Sequence, residues 1–237
     1  MCKTVFFYLA FVFSLIVTGL ILPIWHIIGF LGLPKLQGRL THYTSCFWAR
    51  FLIAAAGVHV TVNGMENVPP EGAVLFISNH QGSFDIPVLL GYINKPKGFL
   101  AKIELKKLPV VHSWMIKMGC SFIDRSDLRQ SIRAMQKCVD VLKSGQSMVV
   151  FPEGTRSREP GMGEFKKGSL RLAEKADVPI IPVSIQGTCH LMEKNNNRIR
   201  AGNVVVNIAA PIRYKMLSEQ EKDNINSIVR EIIVGNL

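Results

Sequence analysis

Residues 73–85 read AVLFISNHQGSFD, and the organisation of the whole chain can be worked out from this stretch. Ala73–Ser78 is a short apolar run, which predicts a buried strand. A polar segment follows it directly, and Gly82 allows that segment to bend. Ser83 is the expected N-cap of a helix that continues to Ile93. The stretch therefore predicts a strand, a polar turn and a helix, which is the repeating unit of an α/β sheet.

The same alternation continues along the rest of the chain. Apolar runs predict further strands at residues 58–62, 99–101, 121–123, 147–151, 180–185 and 204–208. Helical spacing of apolar residues predicts helices at residues 128–142, 168–175 and 217–234. We therefore predict one α/β domain that occupies residues 58–237.

The first 57 residues differ in character from this domain. Residues 4–34 contain no Asp, Glu, Lys or Arg, and one straight helix over them would be about 46 Å long, against about 30 Å for the hydrocarbon core of a bilayer. Pro23 and nearby glycines favour a kinked helix over a straight one. A cleaved signal peptide is disfavoured because the apolar sequence continues too far and lacks an A-x-A site.

A second apolar stretch at residues 46–58 is able to complete a helical hairpin with the first. Trp25 and Trp48 are suited to a membrane–water interface. We predict that residues 1–57 form membrane-associated helices, and the sequence leaves open whether they span the bilayer or lie in one leaflet.

Charge and cysteine content narrow the class of protein. The chain is 48% hydrophobic with a net charge of +11, which excludes disorder and favours a membrane, phosphate-bearing or nucleic-acid partner. Residues 1–78 hold four basic and two acidic residues, so most of the positive charge lies in the α/β domain. The five cysteines form no C-x-x-C motif and indicate neither a disulfide framework nor a zinc site, which fits a reducing, cytoplasmic setting.

Two polar clusters directly follow predicted strands, where α/β sheets bind ligands. His80 and Asp85 would diverge by about 140° on one continuous helix. A helix that begins only at Ser83 allows them to meet as a His–carboxylate pair. The alternative is an exposed histidine beside an ordinary helix-start aspartate.

The second cluster, residues 151–156, reads FPEGTR. Gly154 permits close backbone approach, Thr155 offers a hydroxyl, and Arg156 offers a planar fork for phosphate. Glu153 is placed to orient Arg156, and the alternative is a simple turn with an ion pair. Two further basic residues, Lys102 and Arg125, also follow predicted strands, which favours an anion site at this edge of the sheet.

Four blocks of the sequence resemble, in order, the motifs of the glycerolipid acyltransferase family. They are residues 79–85 (NHQGSFD, the family's H-x4-D), 119–125 (GCSFIDR, with KIEL at 102–105 ahead of it), 151–157 (FPEGTRS, continued by FKKG at 165–168) and 178–183 (VPIIPV). The resemblance covers about 105 residues, and the last fifty residues carry no signature.

The resemblance implies a mixed central sheet flanked by helices, and acyl transfer from a thioester to the 2-hydroxyl of a lysophosphatidate, giving phosphatidic acid. It implies that His80 is the general base and that Asp85 orients it. It also implies a substrate-binding set that comprises Lys102, Arg125, Glu153, Gly154, Thr155 and Arg156. Backbone N–H groups after Gly82 are expected to be available for the oxyanion.

The implied partners are membrane lipids, lysophosphatidic acid and an acyl donor, either acyl-CoA or acyl-carrier protein. No cofactor, metal or nucleic acid is expected, and the expected location is the bacterial inner membrane with the site at the cytoplasmic face. Two alternatives remain: an acyltransferase with another lysolipid or amine-bearing acceptor, and a non-catalytic membrane-anchored binding protein. Nucleic-acid binding is disfavoured because the basic residues are scattered and no aromatic–basic motif occurs.

Overall fold

The computed structural model describes residues 1–157, 162–166 and 168–237, which form a seven-stranded sheet with helices on both faces. The strands are β1 (Val58–Asn63), β2 (Leu75–Ser78), β3 (Lys97–Lys102), β4 (Ser121–Ile123), β5 (Ser147–Val150), β6 (Ile180–Gln186) and β7 (Gly202–Ile208). Their order across the sheet is β1-β7-β6-β2-β5-β3-β4. The five strands from β6 to β4 are parallel, and β7 pairs antiparallel with β6 and parallel with β1. The prediction of a mixed sheet in an α/β fold is confirmed.

The helices are α1 (Cys2–Phe30), α2 (Pro34–Ala56), α3 (Asp85–Tyr92), α4 (Pro109–Lys117), α5 (Leu128–Lys143), α6 (Arg171–Ala176), α7 (Glu219–Asp223) and α8 (Ile225–Gly235). Alternation along the strands divides the core into two layers. Phe76 and Val149 face one layer, which also contains residues of α2 and α3. Leu75 and Met148 face the other layer, with residues of α5, α6 and α8. Burial on both faces explains why β2 and β5 are continuous apolar runs.

Helices α1 and α2 form a hairpin that is packed onto the sheet domain. Trp48 of α2 donates a hydrogen bond from Nε1 to Ser14 Oγ of α1, at 3.0 Å. Leu52 and Ile53 of α2 are buried in the same core layer as α3. The hairpin is thus anchored to the domain by its own side chains.

Helix α1 is continuous from Cys2 to Phe30 and contains Pro23 within it. It is the one helix among the described residues that is long and apolar enough to cross a membrane. Trp25 packs edge-on against Trp114 of α4, with ring centroids 5.3 Å apart, and is only 8% exposed. Trp25 is therefore an internal residue, not the exposed interfacial anchor that the sequence suggested.

Several element boundaries differ from those expected. Helix α3 begins at Asp85, and Ser83 does not cap it, because the Ser83 hydroxyl donates to Glu193 instead. No pattern in the sequence predicted α4, a short helix that begins at Pro109. The single helix expected at residues 217–234 is divided into α7 and α8 at Asn224.

Candidate active site

His80 and Asp85 meet at the carboxyl end of β2. His80 Nδ1 lies 2.6 Å from Asp85 Oδ2. The two side chains approach each other because the chain turns at Gly82 and α3 starts only at Asp85. The residues between them are therefore not helical, and the divergence of about 140° expected on a continuous helix does not arise. His80 is mostly buried and stacks on the ring of Phe151 from β5's carboxyl end, with centroids 4.1 Å apart. The imidazole is therefore fixed by a hydrogen bond on one edge and a ring on one face.

Asp85 is fully buried and accepts four hydrogen bonds. Besides the imidazole, its Oδ2 accepts from the backbone N–H groups of Gln81, at 2.7 Å, and Gly82, at 2.9 Å. Its Oδ1 accepts from the hydroxyl of Thr188, a buried residue that follows β6. These donors compensate the burial of a carboxylate and hold it in one orientation. No motif in the sequence indicated that Thr188 belongs to this site.

Two backbone amides of the loop that follows Gly82 already have hydrogen-bond partners. The Ser83 N–H donates to Glu193 Oε1 at 2.7 Å, and the Asp85 N–H donates to the Gly82 carbonyl at 3.2 Å. Two of the three amides directly after Gly82 are therefore not free for an oxyanion in this conformation.

Glu153 is buried and fastens the loop after β5 to the loop after β2. Its carboxylate accepts from the backbone N–H groups of His80 and Gly163, each at 2.9 Å, and from the Ser157 hydroxyl. The expectation that Glu153 orients Arg156 is wrong: Arg156 Nη1 lies 3.6 Å from Glu193 Oε1 instead. Glu193 lies outside every motif quoted above, and no signal in the sequence pointed to it.

A cavity of about 1330 Å³ opens in front of His80. Five of the predicted substrate-binding residues line it, namely Lys102, Arg125, Gly154, Thr155 and Arg156. Glu153 does not; it lines a smaller cavity of about 400 Å³, and His80 borders both cavities. The geometry therefore gathers residues at the carboxyl ends of β2, β3, β4 and β5 around one space, as the parallel order of these strands dictates.

The large cavity is strongly cationic at this end. Among the described residues, three further cations line it, namely Lys166, Arg171 and Lys175. Lys166 lies in the FKKG block quoted above, so that motif could have been used to predict its place in the site. Arg171 and Lys175 belong to no motif block, and it is helix α6 that places them here. Glu104 is the one carboxylate among the described lining residues. It pairs with Lys102 at 2.7 Å, and this ammonium lowers the pKa of Glu104 below its ordinary value.

The other part of the same cavity is apolar. It lies between the sheet and the α1, α2 and α4 helices, and its lining includes Leu15, Trp48, Val111, Trp114, Met115 and Met118. A continuous space with a cationic end and an apolar end suits a molecule that carries both an anionic group and a long hydrocarbon chain.

The buried cysteines Cys120 and Cys138 are poor candidates for a nucleophile. Burial raises the pKa of the Cys120 thiol to about 12 and that of Cys138 to about 11. Both thiols therefore remain protonated at neutral pH, and a thiol attacks far more slowly than a thiolate. Within the described residues, no three His, Cys, Asp or Glu side chains are grouped to hold a metal ion.

Comparison with known proteins agrees with the motif blocks. The Acyltransferase family model matches residues 59–186. A 1-acyl-sn-glycerol-3-phosphate acyltransferase of Borreliella burgdorferi is 35% identical over 182 residues, which are 77% of this chain and 73% of that protein. A probable 1-acyl-sn-glycerol-3-phosphate acyltransferase of Mycoplasma pneumoniae is 34% identical, covering 74% of this chain and 70% of its own length.

A chloroplast 1-acyl-sn-glycerol-3-phosphate acyltransferase of Arabidopsis thaliana is 34% identical over 72% of this chain, and the chain spans about half (48%) of that longer relative. Among solved structures, the 1-acyl-sn-glycerophosphate (LPA) acyltransferase PlsC from Thermotoga maritima superposes with a TM-score of 0.82 at 29% identity. The superposition covers 99% of this chain and 94% of that one. With these relatives and this family match, the chain belongs to the acyltransferase family, in the group of the 1-acyl-sn-glycerol-3-phosphate acyltransferases.

Proposed function

We propose that this protein transfers a fatty acyl group from an acyl thioester to the sn-2 hydroxyl of 1-acyl-glycerol-3-phosphate, giving phosphatidic acid for phospholipid synthesis. The observation that carries the proposal is the His80–Asp85 pair at the edge of a cavity that is cationic at one end and apolar at the other. The relatives named for this activity support the choice of acceptor.

His80 is proposed as the general base. Its Nδ1 is occupied by Asp85, so Nε2 is the ring nitrogen left to take a proton from the substrate hydroxyl. The hydroxyl oxygen attacks the thioester carbonyl carbon as this proton moves to Nε2. The tetrahedral intermediate then expels the thiolate as the carbon–sulfur bond breaks, and the imidazolium returns its proton to the sulfur. Asp85 keeps the ring oriented and balances the positive charge while the proton is on His80.

Five residues are proposed to bind the glycerol phosphate of the acceptor, namely Lys102, Arg125, Gly154, Thr155 and Arg156. Arg156 offers a planar fork that matches two phosphate oxygens. Gly154 adopts a positive φ of 75°, which favours glycine, and it lets the backbone turn close to the cavity. Glu153 supports this loop from its buried side.

Residues 1–57 are proposed to associate with the membrane, so that lipid acyl chains enter the apolar part of the cavity without crossing water. Most of α1 is exposed, including Leu20 at 74% and Phe13 at 62%. Such a surface is unstable in water and favourable in hydrocarbon. The proposed location is the bacterial inner membrane with the site at its cytoplasmic face, where either acyl-CoA or acyl-carrier protein is the donor.

The test is an assay of the purified full-length protein in detergent micelles. We expect thiol release from acyl-CoA or acyl-carrier protein that depends on 1-acyl-glycerol-3-phosphate, with phosphatidic acid as product. Monoacylglycerol and lysophosphatidylcholine serve as comparison acceptors. The first lacks the phosphate, and the phosphate of the second is esterified with choline. Equal rates with all three acceptors, or no acceptor-dependent release, would contradict the proposal.

A His80→Ala variant tests the mechanism in the same assay. General-base catalysis contributes about 10²–10⁴-fold, so turnover is expected to fall by that factor. His59→Ala is the matched control, since His59 is exposed on β1. Near-normal turnover in the His80 variant would show that another group takes the proton.

A further inference from the structure

The carboxylate of Glu193 lies between the two loops that bear the proposed base and the proposed phosphate ligands. Glu193 begins a single 3-10 turn in the connection from β6 to β7. Its Oε1 accepts from the backbone N–H of Ser83, at 2.7 Å, and from the Ser83 hydroxyl, at 2.9 Å. The same oxygen lies 3.6 Å from Arg156 Nη1. One carboxylate oxygen thus contacts residues that are 73 positions apart in the sequence.

The second oxygen, Oε2, is buried and has no hydrogen-bond partner among the described residues. It lies so close to Gly82 that an added Cβ there would be 2.6 Å away. A carboxylate oxygen that is buried without a hydrogen-bond partner is costly. The low exposure of the Glu193 side chain also strengthens its attraction to the neighbouring guanidinium.

We propose that Glu193 is a positioning residue, which holds the guanidinium of Arg156 beside the His80 loop so that it is ready for the substrate phosphate. This inference rests on the proposed function, because it assumes that Arg156 binds that phosphate. It adds a residue from outside the four motif blocks to the machinery of the site.

The difference in exposure between Arg156 and Glu193 explains why a fixed partner for Arg156 matters. The Arg156 side chain is 47% exposed, whereas that of Glu193 is only 16% exposed. A long exposed side chain loses rotamer freedom when it binds a ligand. Glu193 is itself immobilised by Ser83, so it restricts Arg156 before the substrate arrives. The contact uses Nη1, and the remaining guanidinium donors stay available for phosphate oxygens.

The substitution Glu193→Gln separates two roles of this side chain, the positioning of Arg156 and the support of the loop that contains Ser83. The amide oxygen of Gln retains an acceptor for both Ser83 donors, but the charge that attracts Arg156 is lost. We expect the KM for 1-acyl-glycerol-3-phosphate to rise about three- to tenfold, with kcat within about twofold of the wild type. Asp177→Asn is the matched control, because Asp177 forms an exposed ion pair with Lys215 away from the site.

A double-mutant cycle with Arg156→Ala decides whether the effect passes through Arg156. Arg156→Ala alone should raise the KM, and Glu193→Gln should add no further increase in that background. Ser83→Ala provides a second route if Glu193→Gln folds poorly, as judged by its thermal midpoint. It removes one of the bonds that immobilise Glu193, and it should raise the KM by a smaller factor that also disappears without Arg156.

Three results would overturn the inference: a lower KM in Glu193→Gln, which would mean that Glu193 competes with phosphate; an unchanged KM in Glu193→Gln, whether or not kcat falls; or equal effects of Glu193→Gln with and without Arg156. These results are distinct from failure of the proposed function. If the wild-type protein does not acylate 1-acyl-glycerol-3-phosphate, the proposed function is wrong. If it does and Arg156→Ala raises the KM while Glu193→Gln does not, only the role of Glu193 is wrong.

Discussion

The backbone N–H of His80 donates a hydrogen bond of 2.9 Å to the carboxylate of Glu153, a buried side chain from the neighbouring strand's loop. The Ser157 N–H donates in turn to the His80 carbonyl, at 2.8 Å. The proposed base is thus fastened at its own backbone to the loop that carries Arg156. These two hydrogen bonds therefore hold His80 at a set distance from the loop that carries Arg156.

Glu153→Gln tests this fastening. An amide must turn an NH₂ group toward at least one of the three groups that now donate to the carboxylate, so at least one of these part-buried donors loses its partner. We expect a loss of about 1–3 kcal/mol in the free energy of unfolding, measured with denaturant. Turnover should fall as well. The exposed Glu231→Gln on α8 is the control, and equal stability of the two variants would contradict the fastening role.

Thr188→Val tests the support of Asp85 from β6. Valine keeps the shape of threonine but removes the hydroxyl that donates to Asp85 Oδ1. The buried carboxylate then holds the imidazole less firmly, so we expect kcat to fall about tenfold while the KM for the acceptor stays the same. Thr61→Val, at an exposed position on β1, is the control. An unchanged kcat would mean that the other three donors suffice to hold Asp85.

The exposed face of α1 gives a test of membrane association. Removing residues 1–57 would also remove Leu52 and Ile53 from the core, so truncation would unfold the protein and confuse the result. Phe13→Ser with Leu20→Ser changes two exposed side chains instead. Each large apolar side chain transferred to hydrocarbon contributes about 1.5–3 kcal/mol, so we expect vesicle binding to weaken at least about tenfold.

The control for this pair is Met216→Ser, which removes an exposed apolar side chain (81% exposed) from the α/β domain. Co-sedimentation with vesicles made of anionic phospholipids gives the bound fraction. Undiminished binding of the α1 variant, at an unchanged thermal midpoint, would show that this face does not enter the membrane.

Lys97 gives a prediction about pH and stability. It is buried, and its Nζ donates to the carbonyls of Ile93 and Lys95 at 2.7 and 2.9 Å, with no carboxylate of the described residues within 4 Å. Burial lowers the pKa of Lys97 from 10.5 to about 7. Between these two values the unfolded chain binds a proton that the folded chain does not. The contribution of Lys97 to the free energy of unfolding therefore increases as the pH rises from about 7 to 10.5.

Lys97→Met removes this contribution. We expect its free energy of unfolding to increase less, or to decrease more, between pH 7 and pH 9 than that of the wild type, measured by denaturant titration at each pH. Lys215→Met, at a 73% exposed position, is the control and should follow the wild type. Parallel curves for all three proteins would show that Lys97 remains charged in the folded state.

Much of the fold was predictable because the deciding signals are local. Each of these signals involves residues that are close together in the sequence. Examples are the apolar run of β2, the turn at Gly82 and the helical spacing of α5. The pairing of His80 with Asp85 was also predictable, since both lie within one turn between a strand and a helix. The helix α4 was not, because nine residues with a proline at the start carry too little periodicity to distinguish a helix from a loop.

The sequence by itself determined the alternation of strands and helices, the apolar N-terminal segment, the family and the motif residues at the ends of the strands. Only the tertiary structure decided that Glu153 supports His80, that Thr188 holds Asp85 and that Glu193 contacts Arg156. These partners are 37 to 103 residues apart. The strand order places β6 and β5 on either side of β2, and that order arises from packing of the whole sheet, which no local pattern in the sequence encodes.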